Sequence, residues 1–168
     1  MLERVRRFCN TTNLESGADR LREPSDFARW LTEQGHEPFL PSSSQRRLCV
    51  DLREALRSAA VSHRRSAPDH DALAEIVRLV SGVRFVVGID ADRLSTLVDP
   101  AQGACERFVG SMALAVTATI ADGTWERLTA CRNCRWVVFD ASKNRSTQWC
   151  SMSACGGRAK VRRHRSRR

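Results

Sequence analysis

No apolar run in this 168-residue chain reaches the ~20 residues that a membrane-spanning helix needs; the longest, near Val83 and Met112, fall well short. The first ten residues, MLERVRRFCN, carry charge where a secretory signal has its apolar centre, so no such signal is read there. Also missing are the phosphate-cradling GxxxxGKS/T loop, the nucleophile elbow GxSxG and the metal-hydrolase HExxH. His36, His63 and His70 show no metal-ligand spacing and are expected at the surface, and nothing places a base beside a thiol. An enzyme is therefore not expected. There is no internal repeat. Acid is nearly absent from one end: after Ala130 the only carboxylate side chain is Asp140.

What is present is unevenly spread. Residues 131–168 hold 11 Lys and Arg against that one acid, a net of +10, whereas residues 1–130 hold 17 basic and 18 acidic residues, a net of −1. A near-neutral body thus carries a polyanion-binding end. Hydrophobic residues make up 42% of the chain, enough for a core. The seven cysteines are odd in number, which argues against a disulfide framework and for a reducing cytoplasm.

Four of the seven crowd together as Cys131-x2-Cys134, fifteen residues, then Cys150-x4-Cys155. A CxxC turn can present two sulfurs to one ion, and zinc takes four thiolates at about 2.3 Å in a tetrahedron. Such a site is structural, because four protein sulfurs leave no open position for water. The intervening chain can return the second pair. Arg135–Asp140 reads as a strand, Ala141–Asn144 as a turn, and Arg145–Trp149 as a second strand pairing with the first. A basic helix-compatible run follows Gly156-Gly157. One structural Zn2+ held by Cys131, Cys134, Cys150 and Cys155 is the expectation. Trp136, Phe139 and Trp149 would form a miniature core around it, or a stacking surface for exposed bases.

Upstream, Arg6–Asn13 is short and ambiguous, with Phe8 and Cys9 compatible with an edge strand that ends at Asn10-Thr11-Thr12. Helices are predicted from Pro24 or Ser25 to Gln34, from Ser44 to His63, from His70 to Val80 and from Ala104 to Ala121. Pro38–Ser44 and Arg64–Pro68 are breaks. In the third helix Leu73, Ile76, Val77 and Val80 should face inward. In the last, Cys105, Phe108, Val109, Met112, Ala115, Val116 and Thr119 form the apolar stripe. Val83–Asp90 and Leu94–Asp99 form a hairpin around Asp90-Ala91-Asp92. The body ends near Gly123. The expected fold class is α+β: a helix-rich domain with a small β-hairpin over residues 1–123, then a treble-clef-like zinc finger over 124–168. Cys9, Cys49 and Cys105 lie on apolar patterns and should be buried thiols.

The finger resembles the CGNR zinc finger, in Phe139-Asp140, Ser142-Lys143-Asn144, Trp149-Cys150-Ser151-Met152 and Cys155-Gly156-Gly157-Arg158. The remainder resembles the ABATE domain found ahead of that finger, in Asn10-Thr11, Asp19 before Leu21, and Trp30-Leu31 before Gly35. The resemblance implies a stress-induced transcription regulator of bacterial type. The chain departs from the pattern in three places. Gly157 replaces the signature asparagine, Thr147-Gln148 replaces an arginine pair, and Arg6-Arg7 stands where an apolar strand is expected.

In the tail, Arg158, Arg162 and Arg165 share one helical face, and Arg145, Lys160 and Arg163 add charge, with Arg167 and Arg168 beyond. Arginine forks suit phosphate oxygens and guanine edges, so these residues are the candidate nucleic-acid contacts and duplex DNA the expected partner. RNA binding, or protein docking without sequence-specific DNA readout, is the alternative. Asn10, Thr11, Asp19 and Trp30 either line a ligand pocket for a small-molecule effector or serve turns and packing. A homodimer through the body is open, and no membrane partner is expected.

Overall fold

A computed structural model describes residues 1–65, 67, 69–91 and 93–166. Ser66 and Pro68 of the predicted break, Asp92 of the hairpin turn, and Arg167 and Arg168 of the tail lie outside the described residues. The fold is α+β, with helices around one core and three two-stranded antiparallel sheets among the described residues.

The chain opens with helix α1 (Leu2–Cys9), not the edge strand expected over Arg6–Asn13. Leu2, Val5, Phe8 and Cys9 recur at three- and four-residue intervals, and the last three are fully buried. Arg6 and Arg7 stay on the polar side, where both bond Glu3 at 2.7 Å. Next comes the small hairpin β1 (Thr12–Asn13) and β2 (Ala18–Asp19), paired Thr12↔Asp19 and Asn13↔Ala18. Its turn is held by Asn13 Oδ1, which accepts from the Glu15 and Ser16 amides at 3.0 and 3.2 Å.

Helix α2 (Pro24–Glu33) begins on its proline, buries Phe27, Trp30 and Leu31, and stops at Gly35, whose φ of +73° suits glycine. Helix α3 (Ser43–Arg64) starts from a capping box formed by Ser42 and Gln45. It buries Cys49, Leu52, Ala55, Leu56, Ala59 and Ala60, and with them Arg53 and Arg57. In helix α4 (His70–Leu79) Ala72 and Ile76 are buried. Val77, expected inward, is 67% exposed. It lies about 100° round the helix from Ile76, off the face that Ala72 and Ile76 define.

Strands β3 (Phe85–Asp90) and β4 (Arg93–Val98) form the predicted hairpin, in register from Phe85↔Val98 to Asp90↔Arg93. The ribbon lies against helix α5 (Ala104–Ala121) at Gly110, where a Cβ would stand 2.7 Å from both Val83 Cγ1 and Val98 Cγ2. All seven predicted stripe residues of α5 are buried. Helix α5 is long and apolar enough, by length and composition, to cross a membrane. Its stripe instead packs in the core, where Phe108 meets Phe8 and Phe27 edge-on at 5.0 and 5.7 Å.

A 3₁₀ turn (Trp125–Arg127) leads into β5 (Leu128–Ala130), which pairs with β6 (Val137–Phe139) from Leu128↔Phe139 to Ala130↔Val137. The expected partner of the 135–140 strand was Arg145–Trp149, and that pairing does not form. Leu128, Ala130 and Val137 bury in the same cluster as the helices, whereas RSTQW offers little apolar surface to bury. His63 is also not at the surface. Its side chain is 3% exposed, donates from Nδ1 to the Leu128 carbonyl at 2.8 Å and meets Asp69 Oδ2 at 2.8 Å through Nε2. The chain ends in a π-helical turn (Met152–Gly156) and helix α6 (Gly157–Arg165).

Candidate metal centre

Cys131 follows β5 directly, and the chain curls back at once. The Cys131 amide donates to the Trp136 carbonyl at 2.9 Å and the Arg135 amide to the Cys131 carbonyl at 3.1 Å. Arg135 takes the left-handed conformation, φ +59°, to close the turn. This knuckle is braced from the body. Arg57 donates to the Arg135 carbonyl at 3.0 Å and, through its other nitrogen, to the Cys9 carbonyl at the end of α1. Asn10 makes a two-point bond to the Val137 backbone, 2.8 Å to its carbonyl and 2.9 Å from its amide.

The second cysteine pair is brought back by Asp140. Buried at 2% exposure, its carboxylate accepts from the amide and hydroxyl of Ser142 at 2.9 and 2.6 Å, and from those of Thr147 at 2.8 Å each. The Arg132 amide then donates to the Gln148 carbonyl at 3.0 Å, setting Cys150 beside the knuckle. Cys155 is presented by the π-helical turn, whose start is capped by Ser151 Oγ accepting from the Ala154 amide at 3.1 Å.

The sulfurs of Cys131, Cys134, Cys150 and Cys155 lie within 4.8 Å of one another, with Cys134 and Cys150 at 3.6 Å. Edges of about 3.8 Å follow from a tetrahedron with 2.3 Å zinc–sulfur bonds, so the donor set and its size fit zinc. The electrostatics agree. Burial opposes ionisation of Cys131, yet the amides of Cys134, Asn133 and Cys150 aimed at its sulfur bring it down to about 7. Burial pushes Cys134 and Cys150 up. Four crowded thiols cannot all ionise unaided; a dication would offset half of their charge.

Helix α6 is tied to this centre by its own arginines. Arg158 Nη2 reaches Cys155 Sγ at 3.1 Å, and the guanidinium pairs with Glu15 in the β1–β2 turn. Arg162 Nη1 bonds Asn133 Oδ1 at 3.0 Å, and Asn133 Nδ2 points at Cys155 Sγ at 3.6 Å. The predicted basic face is thus tied to the centre at Arg158 and Arg162, both of which remain exposed. Lys160, Arg163 and Arg165 stay exposed and, with His164, border a groove of about 640 Å³ also lined by Trp149, Met152 and Val161. Arg145 pairs with Glu126.

The Cys131 knuckle sits where two family models meet. The ABATE model, described as "Putative stress-induced transcription regulator", matches residues 4–138. The chain belongs to the ABATE family. The CGNR zinc finger model matches residues 127–168, so this ABATE protein carries a cysteine-rich zinc finger with four sulfurs placed for one zinc ion. The two matches share residues 127–138, which hold β5, the knuckle and the start of β6. No curated protein matches the chain. The ABATE-associated residues have visible contacts. Arg53 bonds Asp19 at 2.6 and 3.0 Å and Thr11 Oγ1 at 3.2 Å. Trp30 stacks on Phe27 at 5.9 Å. Asn10 and Trp30, without Thr11 or Asp19, border a depression of about 250 Å³ with Arg6, Arg7, Gln34 and Trp136. Sequence reasoning did not single out Arg57, Asn133 or Glu15. Arg57 left one trace, standing four residues after Arg53 beside the apolar stripe of α3.

Proposed function

We propose that this ABATE protein is a cytoplasmic DNA-binding transcription regulator whose zinc is structural. In this reading residues 1–123 act as the sensing or dimerising body. Residues 124–168 act as a treble-clef-like finger, with Cys131, Cys134, Cys150 and Cys155 as the ligands. The observation that carries it is α6: a basic helix fastened to the candidate zinc centre through Arg158 and Arg162, with Lys160, Arg163 and Arg165 left exposed. A helix held at one end by a metal module has the build to enter a major groove, where arginine and lysine read guanine and phosphate. Bound zinc would offset half of the thiolate charge and fix the knuckle against α6. No catalytic step is proposed, since four sulfurs would fill the ion's coordination.

A second reading is favoured by one feature. The groove beside α6 has Trp149, Met152 and Val161 within a basic rim, an arrangement suited to stacking an unpaired base of RNA. Selection of zinc-loaded protein on random duplex DNA at about 150 mM salt separates the two, because loose phosphate binding is weak there. A recurrent motif is the expected result. Recovery without a motif, together with RNA-specific quenching of tryptophan fluorescence, would overturn the duplex reading in favour of RNA. Indifference to both nucleic acids would point to protein docking.

A further inference from the structure

The knuckle is bracketed by two helices. On one side Arg162 of α6 holds the Asn133 side chain; on the other Arg57 of α3 holds the Arg135 carbonyl. Helix α3 then runs on along β5, where His63 meets the Leu128 carbonyl. Arg64 stands seven residues after Arg57, about two turns along the same face, and Arg65 follows as the C-cap. Arg132 and Arg135 project from the knuckle itself and are exposed.

These four arginines differ from Arg53, Arg57 and Arg158, which all meet carboxylates. Among the described residues none of the four makes an ion pair, and the buried Nε of Arg64 has no hydrogen-bond partner. Burial, and then the like charges of Arg132, Arg65 and Arg135, hold the Arg64 guanidinium below its ordinary value, against an opposing pull from Cys131. The Arg57 bond to the Arg135 carbonyl and the His63 bond to the Leu128 carbonyl hold the end of α3, with Arg64 and Arg65, against the segment that carries Arg132 and Arg135. Like charge gathered without a carboxylate partner is relieved by a polyanion, and guanidinium forks fit phosphate oxygens.

We propose that Arg64, Arg65, Arg132 and Arg135 form a second phosphate-binding patch, built jointly by α3 and the knuckle, that grips the duplex DNA backbone alongside α6. The patch rests on the DNA-binding reading above and deepens it. The body then contributes directly to the nucleic-acid interface, and the footprint is wider than a single helix.

The test compares the salt dependence of duplex DNA binding for the full zinc-loaded chain and two variants. One is R64Q/R65Q/R132Q/R135Q; the other, on α6, is K160Q/R163Q/R165Q. Each lost phosphate contact should flatten the slope of log K against log salt by about 0.9. The patch variant should therefore lose up to about 3.6 of slope while keeping one equivalent of zinc. Should the quadruple variant lose zinc, R64Q/R65Q leaves the knuckle intact and should show about half that change. Wild-type affinity and slope in the patch variant, with binding lost in the α6 variant, would overturn the patch and leave the regulator reading standing. Absence of duplex binding by the wild type at 50 mM salt would overturn both.

Discussion

Single side chains here do work that their positions in the sequence do not announce. Asn10 was a candidate for ligand binding; in the fold it makes a two-point bond to the Val137 backbone. Asn10→Ala should destabilise the chain by roughly 1–3 kcal/mol, the cost of leaving partly buried backbone groups unpaired. Chemical denaturation of the zinc-loaded protein would measure it. Asp140 gives a pH signature. Burial opposes its charge, but the bonds from Ser142 and Thr147 outweigh it and hold the carboxyl below the ordinary range. Its folded value lies below the unfolded one of about 3.9. Its stabilisation is therefore complete above about pH 4 and fades as pH falls through the folded value. Asp140→Asn, which sets an amide donor among donors, should cost about 1–3 kcal/mol near neutrality. The denaturation midpoints of the two proteins should converge as pH falls below about 4.

At the scale of elements, periodicity carried most of the reading. Helices α2 to α5 and the β3–β4 ribbon follow from apolar spacing and from Pro, Gly and Ser punctuation. The failures share one cause, burial decided by distant chain. α1 is too short and too charged for its pattern to stand out, and its three buried residues gain meaning only against α3 and α5. β5 is three residues long, and its strand character comes from lying on α3. Arg145–Trp149 alternates plausibly, yet its backbone groups bond elsewhere: the Ser146 amide to Ser142 Oγ, the Thr147 amide to Asp140, and the Gln148 carbonyl to the Arg132 amide. The cysteine spacing needed no such context, because the ligand types themselves define the chemistry. Gly157 is a milder case. It sits in α6 with φ −60°, and an added Cβ would meet only the Met152 carbonyl at 3.4 Å. Gly157→Ala should therefore stabilise the finger by about 0.5–1 kcal/mol through helix propensity and a less flexible unfolded chain, read as a higher Tm with zinc content unchanged.

Across the whole molecule, the cysteine centre and the helical body share a boundary that is covalent, apolar and hydrogen-bonded at once. Leu128, Ala130 and Val137 belong to the main core, Arg57 and Asn10 clamp the knuckle, and Arg158 reaches back to Glu15. Zinc binding to the native state alone stabilises everything that unfolds with it. Chelation, or Cys150→Ser, should therefore lower the Tm reported by the helical signal as well as loosening the finger. An unchanged helical Tm in the zinc-free protein would mean that the body stands without the metal module.

The clamp at the end of α1 also bears on time. Arg57 is fully buried and holds the carbonyls of Cys9 and Arg135 together. A knuckle so held cannot open widely by fraying alone; α1 and α3 must part first. The residence time of a bound ion is then governed by the rare openings of a helical core, and zinc should leave this protein far more slowly than an isolated forty-residue module would release it.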